Sequence, residues 1–91
     1  MLKIRYRKQF KKDYKRSLKQ TGHTSNQISF VIQLLANEES LPDSYRDHSL
    51  TGNYTGFREC HIQPDWLLIY KVASDILTLT STRTSSHSEL F

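Results

Sequence analysis

Cysteine is nearly absent from this chain. Cys60 stands alone among 91 residues, so no internal disulfide can staple the fold, which fits a reducing compartment. Long apolar runs are missing too. No stretch approaches the roughly 20 residues that a membrane-spanning helix needs. The opening sequence MLKIRYRKQF mixes basic and apolar residues and has no continuous apolar segment of the kind a secretory signal requires. A soluble, cytoplasmic protein without a membrane anchor is expected. Several signatures of chemistry are also lacking. There is no C-x-x-C or H-E-x-x-H pattern, no G-x-x-x-x-G-K-[ST] loop and no G-x-S-x-G elbow. Cys60 and His61 are adjacent on an expected strand, so they point to opposite faces and cannot readily share an ion. No metal or other cofactor is expected. Repeats, linkers and low-complexity segments are absent, and the length allows one domain, residues 1–91. A chain this short must commit nearly every apolar residue to one core. Cys60, alternating with Ile62, is read as part of it.

What is abundant is positive charge, and it is concentrated. The formal net charge is +4. Nine of the thirteen basic residues lie between Lys3 and Lys19, opposed there only by Asp13, for a local charge of +8. The remainder carries −4. A basic block on a folded element is the electrostatic footprint of a polyanion-binding face. An acidic protein partner could use the same face, and so could simple solvation.

Periodicity gives the elements. Leu2, Ile4 and Tyr6 alternate with Lys3, Arg5 and Arg7, which predicts a short strand with one buried face. Phe10, Tyr14 and Leu18 follow at i, i+4, i+8, a single helical stripe among lysines and arginines, with Gly22 as a stop. A second, more buried helix starts near Thr24, Ser25 or Asn26 and carries Ile28, Val31, Ile32 and Leu35. Leu41-Pro42 ends the helical region. Residues 45–53 read as a loop. Residues 54–62, 66–72 and 76–80 read as strands joined at Pro64-Asp65 and Ser74-Asp75, and turns this short imply an antiparallel meander. The expected fold is α+β, in the order β-α-α-β-β-β, with two helices packed on an antiparallel sheet.

Four histidines are present, and three of them, His48, His61 and His87, fall in the loop-and-sheet half. His23 lies between the helices and is given no role. Cleaving RNA without a metal needs a base for the ribose 2′-OH, an acid for the leaving 5′-oxygen, and donors for the charge on the phosphorane. Histidine suits the first two tasks, arginine the third, and an aromatic ring can hold a splayed base. His48, His61, Asp65, Arg83, His87, Trp66 and Phe91 supply every part. The inventory alone does not establish the activity.

Order and spacing are more specific. The text Y-R-D-H-S-L at 45–50 is followed by Gly52, then by G-F-R-E-C-H-I-Q-P-D-W-L-L-I-Y at 56–70, then by Arg83 and H-S-E-L-F at 87–91. This resembles the YafQ branch of the RelE/ParE toxin superfamily, whose pattern is roughly Y-[KR]-D-H-x-L-x-G, then [FY]-R-x-x-H-x-x-P-D-W-[IL]-L-[IV]-Y, then R-x-G-x-H with an apolar-aromatic end. The N-terminal half agrees only in element order and basic helix character. The resemblance implies a compact RelE-like fold and metal-independent cleavage of mRNA in the ribosomal A site, leaving a 2′,3′-cyclic phosphate. It implies a cognate antitoxin from the same operon as neutralising partner. Operator DNA would be bound only indirectly, through the antitoxin complex.

It also implies roles. His87 would be the general acid and Asp65 or His61 the base. Arg83 and His48 would steady the phosphate. Trp66 and Phe91 would hold bases or pack the site. Lys11, Lys12 and Lys15 on the basic helix would meet ribosomal RNA or the antitoxin. One departure stands out: Ser85 replaces the family's glycine between Arg83 and His87, where glycine would allow a positive φ. The alternatives are a non-catalytic toxin that binds DNA gyrase or the ribosome, and a relative that keeps antitoxin binding but has lost activity. The histidine set argues against both.

Overall fold

The N-terminal strand β1 (Lys3–Tyr6) leads through Arg7, an extended N-cap without a side-chain bond, into α1 (Lys8–Ser17). The computed structural model describes residues 1–20 and 22–84. Phe10 is buried and Tyr14 and Leu18 pack against the core, as the stripe requires. The basic residues are left in water, and Lys15 and Arg16 occupy the last turn, where cations oppose the negative end of the helix dipole. Asp13, the lone acid of this segment, ties the helix to the sheet. Its carboxylate accepts the Thr82 N–H at 3.3 Å, while Ser17 Oγ lies 3.0 Å from Thr82 Oγ1.

The second helix, α2 (Ser25–Ala36), begins where the capping residues predict. Thr24 Oγ1 accepts the Gln27 N–H, and Gln27 Oε1 accepts the Thr24 N–H, a reciprocal capping box. Ile28, Val31 and Leu35 are its buried face.

Four further strands complete the sheet: β2 (His48–Ser49), β3 (Arg58–Gln63), β4 (Trp66–Ala73) and β5 (Ile76–Thr84). Their order is β1-β5-β4-β3-β2. The strands β2 to β5 are antiparallel neighbours, but β1 pairs parallel to β5. Two tight turns fix the meander, whereas the partner of β1 is set by the long helical crossover, which no local signal encodes. As an edge strand, β1 leaves Ile4 and Tyr6 exposed, and the expected buried face is kept only at Leu2. The segment read as a loop, residues 45–53, contains β2 and is overlapped at its ends by two 3-10 turns, Asp43–Tyr45 and Gly52–Tyr54, and β3 starts at Arg58 rather than at residue 54. In the centre, Trp66 to Tyr70 are buried on both faces of β4, as a continuous apolar run demands.

A bulge in β5 matters for function. Ile69 opposes Ser81 and Tyr70 opposes Leu79, so Thr80 is an extra residue in the ladder. The extra residue shifts the side-chain phase. Leu77, Leu79 and Thr82 therefore all face the helices, and Arg83 emerges on the opposite side.

Burial leaves two protons on the core that the unfolded chain gives up more easily. Desolvation pushes the Cys60 thiol from its ordinary 9.0 up to about 12. It also raises the Tyr70 phenol, with the Asp47 hydrogen bond adding to the rise. Both groups are neutral in the fold, so their contribution is complete below their unfolded values and is lost as pH rises above them. The melting temperature is expected to decline from about pH 9 upward, the thiol's ordinary value, and less steeply in Cys60→Ala. A thermal-unfolding series with the same alkaline slope in both proteins would contradict this.

Candidate active site

The period of two along β3 separates its residues cleanly. Cys60 and Ile62 join the core under the helices, while Glu59 and His61 project from the other face; a register shift between His61 and Gln63 then sets Gln63 opposite Trp66. Cross-strand pairing extends that face into two rows. His48 on β2 stands opposite Glu59, which stands opposite Ile69. His61 stands opposite Leu67, which stands opposite Arg83. At two strand spacings, the backbones carrying His61 and Arg83 are about 10 Å apart. A cleft of ≈ 920 Å³ opens on this side, with Tyr45, Arg46, His48, Glu59, His61 and Gln63 in its wall and Leu67 beneath.

His48 is held at both ring nitrogens. Its Nδ1–H donates to the Arg46 carbonyl at 2.7 Å, and its Nε2 lies 3.4 Å from Glu59 Oε1. These two contacts fix the orientation of the ring beside Glu59. Arg46 takes the left-handed conformation, φ 50°, to turn the chain from the 3-10 turn into β2. The loop is anchored by Asp47, which accepts from Arg58 Nε at 3.2 Å and from the Tyr70 hydroxyl. Arg58 Nη1 also donates to Ser49 Oγ at 2.8 Å. The Asp47 hydrogen bond holds the Arg58 guanidinium above its usual range. The aspartate of Y-R-D-H is thus a structural anchor that presents the neighbouring histidine.

Arg83 is exposed, donates from Nη2 to the Tyr54 hydroxyl at 3.1 Å, and lies 5.4 Å from that ring's centroid. It can accept a phosphate without breaking a buried ion pair.

Not every expected residue is brought here. Trp66, expected to hold bases or pack the site, is fully buried on the helix side of β4 and packs the core. A Trp that opens a central strand is drawn into the core by the apolar area it buries. Asp65 is outside the cleft wall, and its carboxylate turns to His23 Nε2 at 3.3 Å. Lys11, Lys12 and Lys15 lie on α1, across the sheet from the cleft. Lys11 and Lys15 border a separate groove of ≈ 390 Å³ with Phe10, Tyr14, Ile28 and Ile32. His87 and Phe91 lie outside the described residues. Among the described residues no three His, Cys, Asp or Glu side chains are grouped so as to hold a metal ion, and no helix is long and apolar enough to cross a membrane.

Two residues escaped the sequence reading. Glu59 was detectable, because it alternates with His61 on one strand. His23 was not. It is 6 % exposed, stacks on Trp66 at 4.4 Å and reaches Asp65, 42 positions away.

Comparison with known proteins agrees with this architecture. Residues 2–91 match the family model described as the bacterial toxin of the type II toxin–antitoxin system, YafQ. The mRNA interferase toxin YafQ of Escherichia coli K12 is 40 % identical over 90 residues, covering 97 % of this chain and 94 % of that protein. Among solved structures, a copper-bound mutant toxin from Helicobacter pylori superposes with a TM-score of 0.87 at 41 % identity, each chain covered fully. YafQ in the E. coli DinJ–YafQ complex gives a TM-score of 0.83 at 37 % identity, with 100 % of this chain and 99 % of that one covered. With two helices on a mostly antiparallel sheet, the same motif text and near-complete mutual coverage, the chain belongs to the YafQ family of type II toxin–antitoxin toxins.

Proposed function

We propose that this chain is an endoribonuclease, an mRNA interferase that cuts messenger RNA in the ribosomal A site and is neutralised by a cognate antitoxin from the same operon. The observation that carries this reading is that His48, Glu59, His61 and Arg83 share one sheet face, the first three in the wall of a cleft of ≈ 920 Å³. The E. coli relative is named an mRNA interferase, and a relative is solved with the antitoxin DinJ.

In this mechanism the ribose 2′-OH attacks the adjacent phosphorus and the 5′-oxygen leaves, giving a 2′,3′-cyclic phosphate. His61 takes the 2′-OH proton, since Asp65 is engaged elsewhere. His87 protonates the leaving oxygen. Arg83 and the His48–Glu59 pair flank the phosphate, with the guanidinium donating to its charge. Phe91 contacts a base. The basic face of α1 lies on the far side of the sheet and therefore meets ribosomal RNA rather than the scissile phosphate.

Induced expression with primer extension on a translated message tests both parts. Growth arrest with new in-frame 5′ ends, and cleavage by purified toxin with ribosomes that survives chelation, are the expected results. Arrest without cleavage would favour a gyrase- or ribosome-binding toxin. Reversing Lys11, Lys12 and Lys15 to Glu should reduce the slope of log affinity for ribosomes against log salt by on the order of 0.7–0.9 for each phosphate no longer neutralised. An unchanged slope would remove this face from RNA binding.

A further inference from the structure

Three contacts fasten the α1–α2 loop to the β3–β4 turn, and the nuclease mechanism uses none of them. Gln63 Nε2–H donates to the Gly22 carbonyl at 2.8 Å. His23 Nε2 meets Asp65 Oδ1 at 3.3 Å. The His23 ring lies on the Trp66 indole with centroids 4.4 Å apart and planes 10° from parallel. The loop is preset for this by Gly22, whose φ of 87° is one that glycine adopts without strain. On its other side the imidazole faces the Ser17 carbonyl, 3.1 Å from Nδ1.

A buried histidine could be mere filling, but this one is specified at every edge. Its Nδ1 lies against the Ser17 carbonyl at the end of α1, its Nε2 lies against the Asp65 carboxylate of the turn, and one ring face has an aromatic partner. The side chain of His23 is 1 % exposed, whereas that of Asp65 is 53 % exposed. The rigid member of the pair is therefore the histidine, and the carboxylate is what it restrains. The same turn carries Gln63 and Pro64 into the wall of the cleft. It begins three residues after His61, at Pro64, and lies beside the end of β5, since Trp66 pairs with Thr84.

We infer that His23 is a positioning residue for RNA cleavage: its Nε2 contact with Asp65 fixes the β3–β4 turn, and with it the placement of His61 and Gln63. The inference rests on the ribonuclease reading. His23 does not touch the substrate. It acts through the turn, in the way that displacement of reacting groups by about 1 Å can lower a rate on the order of 100-fold.

Two substitutions separate this role from simple packing. His23→Gln can place its amide near Nε2 and keep a donor to Asp65. His23→Asn can place its amide near Nδ1, keeping a donor to Ser17 and losing the one to Asp65. Both lose the aromatic stack, so both share any purely structural penalty. Single-turnover cleavage is measured against RNA concentration for wild type and both variants, alone and combined with Asp65→Asn. The side-chain ¹³C shift of Asp65 is followed by NMR. His23→Asn is expected to lower the maximal rate by about 10- to 100-fold with little change in half-saturation, and to move the Asp65 resonance. His23→Gln should keep most of the rate and the wild-type shift. In the Asp65→Asn background the two His23 variants should be equal. Equal rates for Asn and Gln with Asp65 intact, or an unmoved Asp65 resonance in His23→Asn, would overturn the positioning role while leaving the nuclease reading standing. A wild-type chain that cuts no RNA would overturn both.

Discussion

Single-turnover cleavage of mRNA is expected to fall by about 10²- to 10⁴-fold when His61 is replaced by alanine, the range typical of a general acid or base, while folding and antitoxin binding persist. The separation of effects follows from geometry. His61 is half-buried on the cleft side of β3, and among the described residues no hydrogen bond ties its ring. Removing it therefore orphans no buried partner, and surface substitutions of this kind change stability by roughly 0.5 kcal/mol or less. His48 offers the contrast. Its ring is bonded to the Arg46 carbonyl and faces Glu59, so His48→Ala removes both contacts and disturbs the loop as well as the rate. His87→Ala should resemble His61→Ala if the two divide acid and base between them. Because groups acting as a unit are non-additive, the double variant should be little slower than either single. A loss smaller than about threefold for His61→Ala, far outside the range for proton-transfer groups, would take that histidine out of the mechanism. Glu59, directly across from His48, would then be the next base to test.

The sequence was most readable where a period repeats. The i, i+4 stripe of Phe10 and Tyr14, the Thr24–Gln27 cap, the apolar run of β4 and the two short turns were each legible because the physical cause is local. The parallel pairing of β1 with β5 was not, since it depends on a crossover of two helices and on which sheet edge remains free. Site residues divide in the same way. His61, Glu59 and Arg83 share a face for reasons of strand pleat, although Arg83 reaches it only through the bulge at Thr80. A motif gives order along the chain and not the side of the sheet: Asp65, expected as the base in alternation with His61, and Trp66, expected to hold bases or pack the site, both contact a residue of the inter-helix loop. Their partner is His23, which has no motif around it and is recognised only once the chain has folded.

Trp66 carries the largest expected effect on stability. It is the only tryptophan of the chain, it is 0 % exposed, and it supports the ring that restrains Asp65. Truncating a buried tryptophan to alanine typically costs about 3–5 kcal/mol. Domains of this size hold on the order of 0.05–0.15 kcal/mol per residue in total, so Trp66→Ala should remove a large share of the fold's margin. The melting temperature should drop by roughly 12 °C or more, taking about 4–8 °C per kcal/mol. Trp66→Phe should be far milder. The indole Nε1 has no hydrogen-bond partner among the described residues, so phenylalanine forfeits area but no bond, and it keeps an aromatic face for His23. Calorimetry on the two variants, paired with cleavage by the Phe variant, separates core from substrate contact. A tryptophan that stacked on RNA would give the reverse pattern, with near-native melting in Trp66→Ala and weakened RNA binding in both. With the indole sealed beneath the helices, loss of cleavage in Trp66→Ala should instead track loss of fold, and the Phe variant should cut RNA at a rate governed by how well His23 still holds the turn.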